Sequence, residues 1–145
     1  TDIVDLIDKA ILPYKTNYKQ ISITINSSLK NNVIRCDKNQ IFRLFTNLVK
    51  NSVESIAEKN ENKGKIQISI KDNDNSVDFL FQDNGIGFEP DQLSNISEPY
   101  FTTKKNGSGL GLSIVSKIIF EHKGNINFYN GENGANIHFT FNKYL

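Results

Sequence analysis

Four stretches of this 145-residue sequence place side chains or bare backbone where they can do chemistry. Asn47 and Asn51 stand four residues apart, which brings both amides to one face of a helix, one turn apart. An amide oxygen is a neutral, hard ligand, and Mg²⁺ takes oxygen donors while sharing its shell with water and phosphates. Asp83-Asn84-Gly85-Ile86-Gly87-Phe88 follows directly on the apolar run VDFLFQ. A carboxylate at a strand end accepts hydrogen bonds and cannot donate them, so it suits a donor such as the exocyclic amine of adenine. Gly85 and Gly87 permit a sharp turn and close approach to a flat ligand. Gly107-Ser108-Gly109-Leu110-Gly111-Leu112 opens into an apolar segment, and bare N–H groups at a helix start attract phosphate oxygens. Just upstream, Glu98-Pro99-Tyr100-Phe101-Thr102-Thr103-Lys104 offers Lys104 to a phosphate and Phe101 as the anchor of a mobile lid.

Each stretch alone has an ordinary reading: a solvated helix face, a turn rich in Asp, Asn and Gly, and a loop before a helix. Together they are more pointed. Five of the nine glycines fall in the two loops, at 85, 87, 107, 109 and 111, which concentrates backbone freedom where a ligand would need it.

The elements that must position these residues follow from periodicity. Ile3, Leu6, Ile7, Ala10 and Ile11 recur at helical spacing before Pro13 and predict a helix over 2–14. Ile21, Ile23 and Ile25 alternate as a strand over 20–26, and 33–36 reads as a short partner strand. Asp37 stands where an N-cap belongs, and 37–59 predicts the longest helix. Its apolar side is Ile41, Leu44, Phe45, Leu48, Val49 and Ile56; its polar side carries Arg43, Asn47, Lys50, Asn51 and Glu54. Strands are expected near 65–71, 77–82, 125–129 and 136–141, with an apolar helix over 109–122. The plan is α/β: a mixed, mostly antiparallel sheet covered on one face by helices. Residues 89–108 hold few apolar anchors, which predicts a lid that nucleotide orders.

Composition limits the alternatives. A formal charge of +1 gives no case for nucleic acid or a membrane surface as a partner. No apolar run approaches a membrane span, and the first residues lack the layout of a signal peptide. The lone Cys36 excludes an internal disulfide and reads as a small buried hydrophobe.

Taken in order, the boxes resemble the catalytic ATP-binding domain of sensor histidine kinases, the fold shared with DNA gyrase B, Hsp90 and MutL. NLVKNSVES is similar to the family's N box, DNGIGF to its G1 box, EPYFTTK to its F box and GSGLGL to its G2 box. The short span between Lys104 and Gly107, with Glu54 after the N box, looks most like the nitrogen-regulation (NtrB/NtrY-like) sensors. The resemblance covers the whole chain and implies one catalytic domain over 1–145, without the helical hairpin that carries the acceptor histidine. It implies Mg-ATP as the bound species. Asn51 becomes the Mg²⁺ ligand, and Asp83 the adenine contact, flanked by Gly85 and Gly87. Lys104 and the Gly107, Gly109 and Gly111 backbone become the phosphate-facing lid, and Phe101, Thr102, Leu110 and Leu112 join them in the nucleotide-binding set. Two positions depart from the pattern: Glu54 replaces a Lys or Arg found in many members, and Ala135 replaces a Thr.

Asn47 separates kinase from hydrolase. The ATP-hydrolysing relatives carry a Glu at the matching position, and an amide cannot take a proton from water. The resemblance therefore implies phosphoryl transfer to a histidine that brings its own nucleophile, then to an Asp of a response regulator. Asn47, Asn51 and Lys104 are the expected catalytic set. His122 and His138 lack the acidic neighbour and downstream proline of an acceptor motif, so each is expected to have a structural role. The expected setting is the cytoplasmic part of a sensor whose relatives are often membrane-bound. The alternatives are a gyrase/Hsp90-type ATPase, a serine kinase of the anti-sigma type, and a nucleotide-binding domain without turnover, with Glu54 as a substitute base in the first.

Overall fold

The computed structural model describes residues 1–59, 63–89 and 110–143. Helix α1 (Ile3–Asn17) leads to strand β1 (Ile21–Ser27), and helix α2 (Lys38–Lys59) crosses over to β2 (Gly64–Asn73). Strand β3 (Ser76–Asp83) follows by a tight turn at Asp74 and Asn75. Helix α3 (Leu110–Glu121) and strands β4 (Ile126–Asn130) and β5 (Ala135–Asn142) complete the described chain. The five strands lie in the order β1-β2-β3-β5-β4. β1 runs parallel to β2, and the other neighbours are antiparallel.

Strand alternation decides where the core lies. Ile66, Ile68 and Ile70, then Val77, Phe79 and Phe81, then Ile137, Phe139 and Phe141 all face the helices and are buried. The residues between them, such as Gln67, Leu80 and His138, face outward and are more exposed. α2 lies on the apolar face. Its Phe45 ring sits 5.7 Å from Phe79 and 5.9 Å from Phe139, which stack on each other at 4.9 Å. This wedge fixes the height and rotation of α2 over the central strands, and with them the direction of its polar side.

Two expectations need correction. Residues 33–36 form no strand; Val33 makes only an isolated bridge with Asp2. The N–H of Ile34 donates to Thr1 O, and the N–H of Ile3 donates to Asn32 O, so this segment fastens the start of α1 instead. The partner of β1 is β2, reached through α2. α1 also runs through Pro13 to Asn17, three residues beyond the predicted end. Its exit is closed by Tyr18 N–H donating to Tyr14 O.

Asp37 caps α2 as expected: its Oδ1 accepts from Asn39 N at 3.1 Å and Gln40 N at 3.2 Å. His122 anchors the same turn from α3. Its Nδ1 lies 2.8 Å from Ile118 O and its Nε2 accepts from Asp37 N at 3.2 Å. A carbonyl only accepts and an amide N–H only donates, so Nδ1 carries the proton and the ring is neutral. With 3% exposure and both nitrogens engaged, His122 is a brace between helices.

Candidate functional site

Asp83 is the last residue of β3, and the two-residue period places it in line with Val77, Phe79 and Phe81 on the helix-covered face. A carboxylate there ends an apolar row beneath α2. Ser52 Oγ of α2 donates to its Oδ2 at 2.7 Å. Gly85 N donates to its Oδ1 at 2.9 Å, and Ala135 N reaches the same oxygen at 3.4 Å. Helix, loop and last strand therefore converge on one carboxylate.

The loop after Asp83 is held against α2 by one stripe of the helix. Ser52, Ser55 and Lys59 follow at helical spacing and each makes a bond to the loop or its start. Ser55 Oγ accepts from Ile86 N at 3.0 Å, and Lys59 Nζ donates to Asn84 O at 3.1 Å and Asn133 O at 3.4 Å. Asn84 ties the other side to the start of β2: its Oδ1 accepts from Lys65 N at 2.7 Å and its Nδ2 donates to Lys63 O at 3.2 Å.

The glycines serve this docking. A Cβ on Gly85 would lie 2.3 Å from Ser55 Oγ and 2.7 Å from the Ser55 carbonyl carbon, so its bareness lets the loop touch α2. Its close approach is thus to the helix, a different reason from the ligand contact expected of it. Gly87 has φ of +76°, in the left-handed region that favours glycine. Beside it, the Asn130 amide pairs with both backbone groups of Phe88, accepting from N at 2.7 Å and donating to O at 2.6 Å. A Cβ on Gly134 would lie 2.4 Å from Asp83 O, so the β4–β5 turn presses directly on the site.

Asn51 precedes Ser52 on α2, and Asn47 lies one turn before it; both are partly buried. The predicted amide pair thus adjoins the residue that holds Asp83. Glu54 interacts with Tyr14 of α1, whose phenol is pushed up chiefly by burial, then by Tyr18 and Glu54. Phe101, Thr102, Lys104, Gly107 and Gly109 lie outside the described residues, as does most of the expected lid. Leu110, Gly111 and Leu112 form the first turn of α3.

Sequence reasoning missed Ser52, Ser55, Lys59, Asn84, Asn130 and Gly134. The signal for Ser52 was present: a hydroxyl among Leu48, Val49, Val53 and Ile56 on the buried stripe requires a partner. A depression lined by Lys65, Gln67, Gln82, Asp83, Asn84 and Gly134, among others, was not foreseen either. It adjoins the candidate site, because Asp83 itself is part of its wall.

Comparisons with known proteins identify the family and the fold. The family described as "Histidine kinase-, DNA gyrase B-, and HSP90-like ATPase" matches residues 36–145. The NtrY-like protein of Rickettsia conorii is 33% identical over 142 residues, covering 97% of this chain and 23% of that protein. The chain thus spans about a quarter of the length of such relatives. Among solved structures, the nucleotide-free catalytic domain of histidine kinase ThkA superposes with a TM-score of 0.87 at 29% identity, covering 99% of this chain and 93% of that one. ThkA has also been solved in complex with the response regulator protein TrrA (TM-score 0.80, 28% identity, 99% of this chain and 41% of that one). Full-length ShkA in complex with AMPPNP gives a TM-score of 0.78 at 26% identity, covering 97% of this chain and 30% of that one. With the family matched over most of its length and the fold of a histidine kinase catalytic domain, the chain belongs to the histidine kinase-, DNA gyrase B- and HSP90-like ATPases.

Proposed function

We propose that this domain binds Mg-ATP and donates the γ-phosphoryl group to a histidine on a separate helical-hairpin domain of a two-component sensor kinase. The observation that carries the reading is the convergence on Asp83. An acceptor-only group stands at the end of an apolar row, oriented by three donors, and adjoins a helix face bearing two neutral amides. An adenine amine suits the first feature, and a divalent ion shared with phosphates suits the second.

The donor set fits Mg²⁺. Among the described residues no group of three or more His, Cys, Asp or Glu converges as a metal cage. Asn51 would hold the ion through one amide oxygen, with ligand oxygens and water completing the shell. When bound, the ion supplies charge neutralisation at the phosphates. The chain's own contribution is alignment: Asp83 seats the purine, Asn51 and Asn47 face the phosphate side, and Lys104 with the 107–112 backbone stabilises the transferring group. Phosphoryl transfer asks little more of a protein. In that step the acceptor imidazole nitrogen forms the new N–P bond, the γ-phosphoryl parts from the bridging oxygen, and ADP leaves.

Asn47 favours the kinase reading over a hydrolase, because no carboxylate stands there to take a proton from water. A response regulator is the proposed onward acceptor, in keeping with the ThkA–TrrA complex. No helix among the described residues is long and apolar enough to cross a membrane. We place the domain in the cytoplasm, where ATP is available, as part of a sensor that is itself membrane-bound.

The test is reconstitution. Incubated with labelled ATP and Mg²⁺, the domain should incorporate negligible label alone. It should transfer label to a supplied acceptor hairpin in an acid-labile, base-stable linkage. Efficient self-labelling, or rapid release of free phosphate without acceptor, contradicts the reading.

A further inference from the structure

Ser52 is the exception on the buried stripe of α2. Its neighbours there are Leu48, Val49, Val53 and Ile56, yet it is a hydroxyl at 3% exposure. With His122 it is one of the two buried polar residues among the described residues. Its donor goes to Asp83 Oδ2 at 2.7 Å, in the range of hydroxyl–carboxylate bonds, about 2.5–2.7 Å. The two backbone donors, Gly85 N and Ala135 N, both meet the other oxygen, Oδ1. Those two grip one oxygen only. The hydroxyl grips the other oxygen and so helps to fix the plane of the group.

We infer that Ser52 is a positioning residue for base recognition: by holding Oδ2, it sets the carboxylate edge that meets the 6-amino group of the purine. This rests on the reading of Asp83 as the adenine contact. Ser52 acts through Asp83, so its effect is confined to ligands that carry the amine. Its removal should therefore erode the preference for adenine over purines lacking the 6-amino group, and leave the phosphate contribution alone.

The experiment is a two-by-two comparison on the whole chain with Mg²⁺ present. Kd is measured by calorimetry for ATP and for purine riboside triphosphate, which lacks only the 6-amino group, against the unaltered chain and Ser52→Ala. Ser52→Cys, close in volume and a weaker donor, is the second variant, and a thermal melt confirms folding of each. The unaltered chain should prefer ATP by roughly tenfold or more. Ser52→Ala should weaken ATP about fivefold and leave the amine-free nucleotide within about twofold, with Ser52→Cys between. Equal weakening of both nucleotides overturns the inference and leaves Ser52 a packing residue. An unaltered chain that binds both equally shows instead that Asp83 does not read the amine, and the underlying assignment fails first.

Discussion

Asp83 is held in place by other residues. One oxygen is fixed by Ser52 and the other by two backbone amides, so the carboxylate is presented with its geometry already set. Such preorganisation is what makes a single acceptor discriminating. Asp83→Asn keeps the shape and gives the edge a mixed donor and acceptor character. ATP affinity should fall roughly 10- to 100-fold, the value of a hydrogen bond to a charged group, and calorimetry reads it. Unchanged affinity removes Asp83 from the site. Asn51→Ala should abolish the strengthening of ATP binding by Mg²⁺, seen by titrating with the metal and with a chelator; a surviving metal effect places the ion elsewhere. The Cys36 thiol is pushed up mainly by burial, so less thiolate is present at a given pH. Iodoacetamide at pH 8 should alkylate it more slowly in the folded chain than in urea, and equal rates contradict that burial. Asp83 was legible in the sequence because a carboxylate ending an alternating apolar row is conspicuous. The partner of Ser52 was not, because the pairing of a buried hydroxyl on α2 with the end of β3 is a long-range choice that helix periodicity does not encode.

At the scale of elements, α2 carries the arrangement. The Phe45–Phe79–Phe139 wedge sets it on the sheet, and Ser52, Ser55 and Lys59 then hold the loop that follows β3. Gly85→Ala forces a methyl into the helix backbone and should cost about 1–3 kcal/mol in urea unfolding, with weaker nucleotide binding besides. Retention of both stability and affinity shows that the loop does not dock as described. The element plan was mostly readable, since Ile, Phe and Val repeat at period two in the strands and at three-four spacing in α2. The failures were local. Residues 33–36 read as a strand, but the backbone N–H and C=O of Ile34 both pair with Thr1, just ahead of α1. Pro13 reads as a stop, but it sits within α1, which continues to Asn17. The parallel pairing of β1 with β2 is a long-range choice that no local pattern encodes. Lys104, Gly107 and Gly109, expected to face phosphate, lie outside the described residues.

For the whole molecule, one sheet face is closed by helices and the other is polar, and the candidate site lies at the closed face where β3, α2 and the β4–β5 turn meet. Binding there stabilises the folded chain by mass action: nucleotide at 100 times its Kd should add about 2.7 kcal/mol, visible as a raised melting temperature. The most direct test of the central claim is calorimetric titration of the folded chain with ATP, with and without Mg²⁺. One nucleotide should bind per chain, more tightly with the metal, and Asp83→Asn should weaken it. Absence of any adenine nucleotide binding at millimolar concentration, on material shown to be folded, would contradict the account.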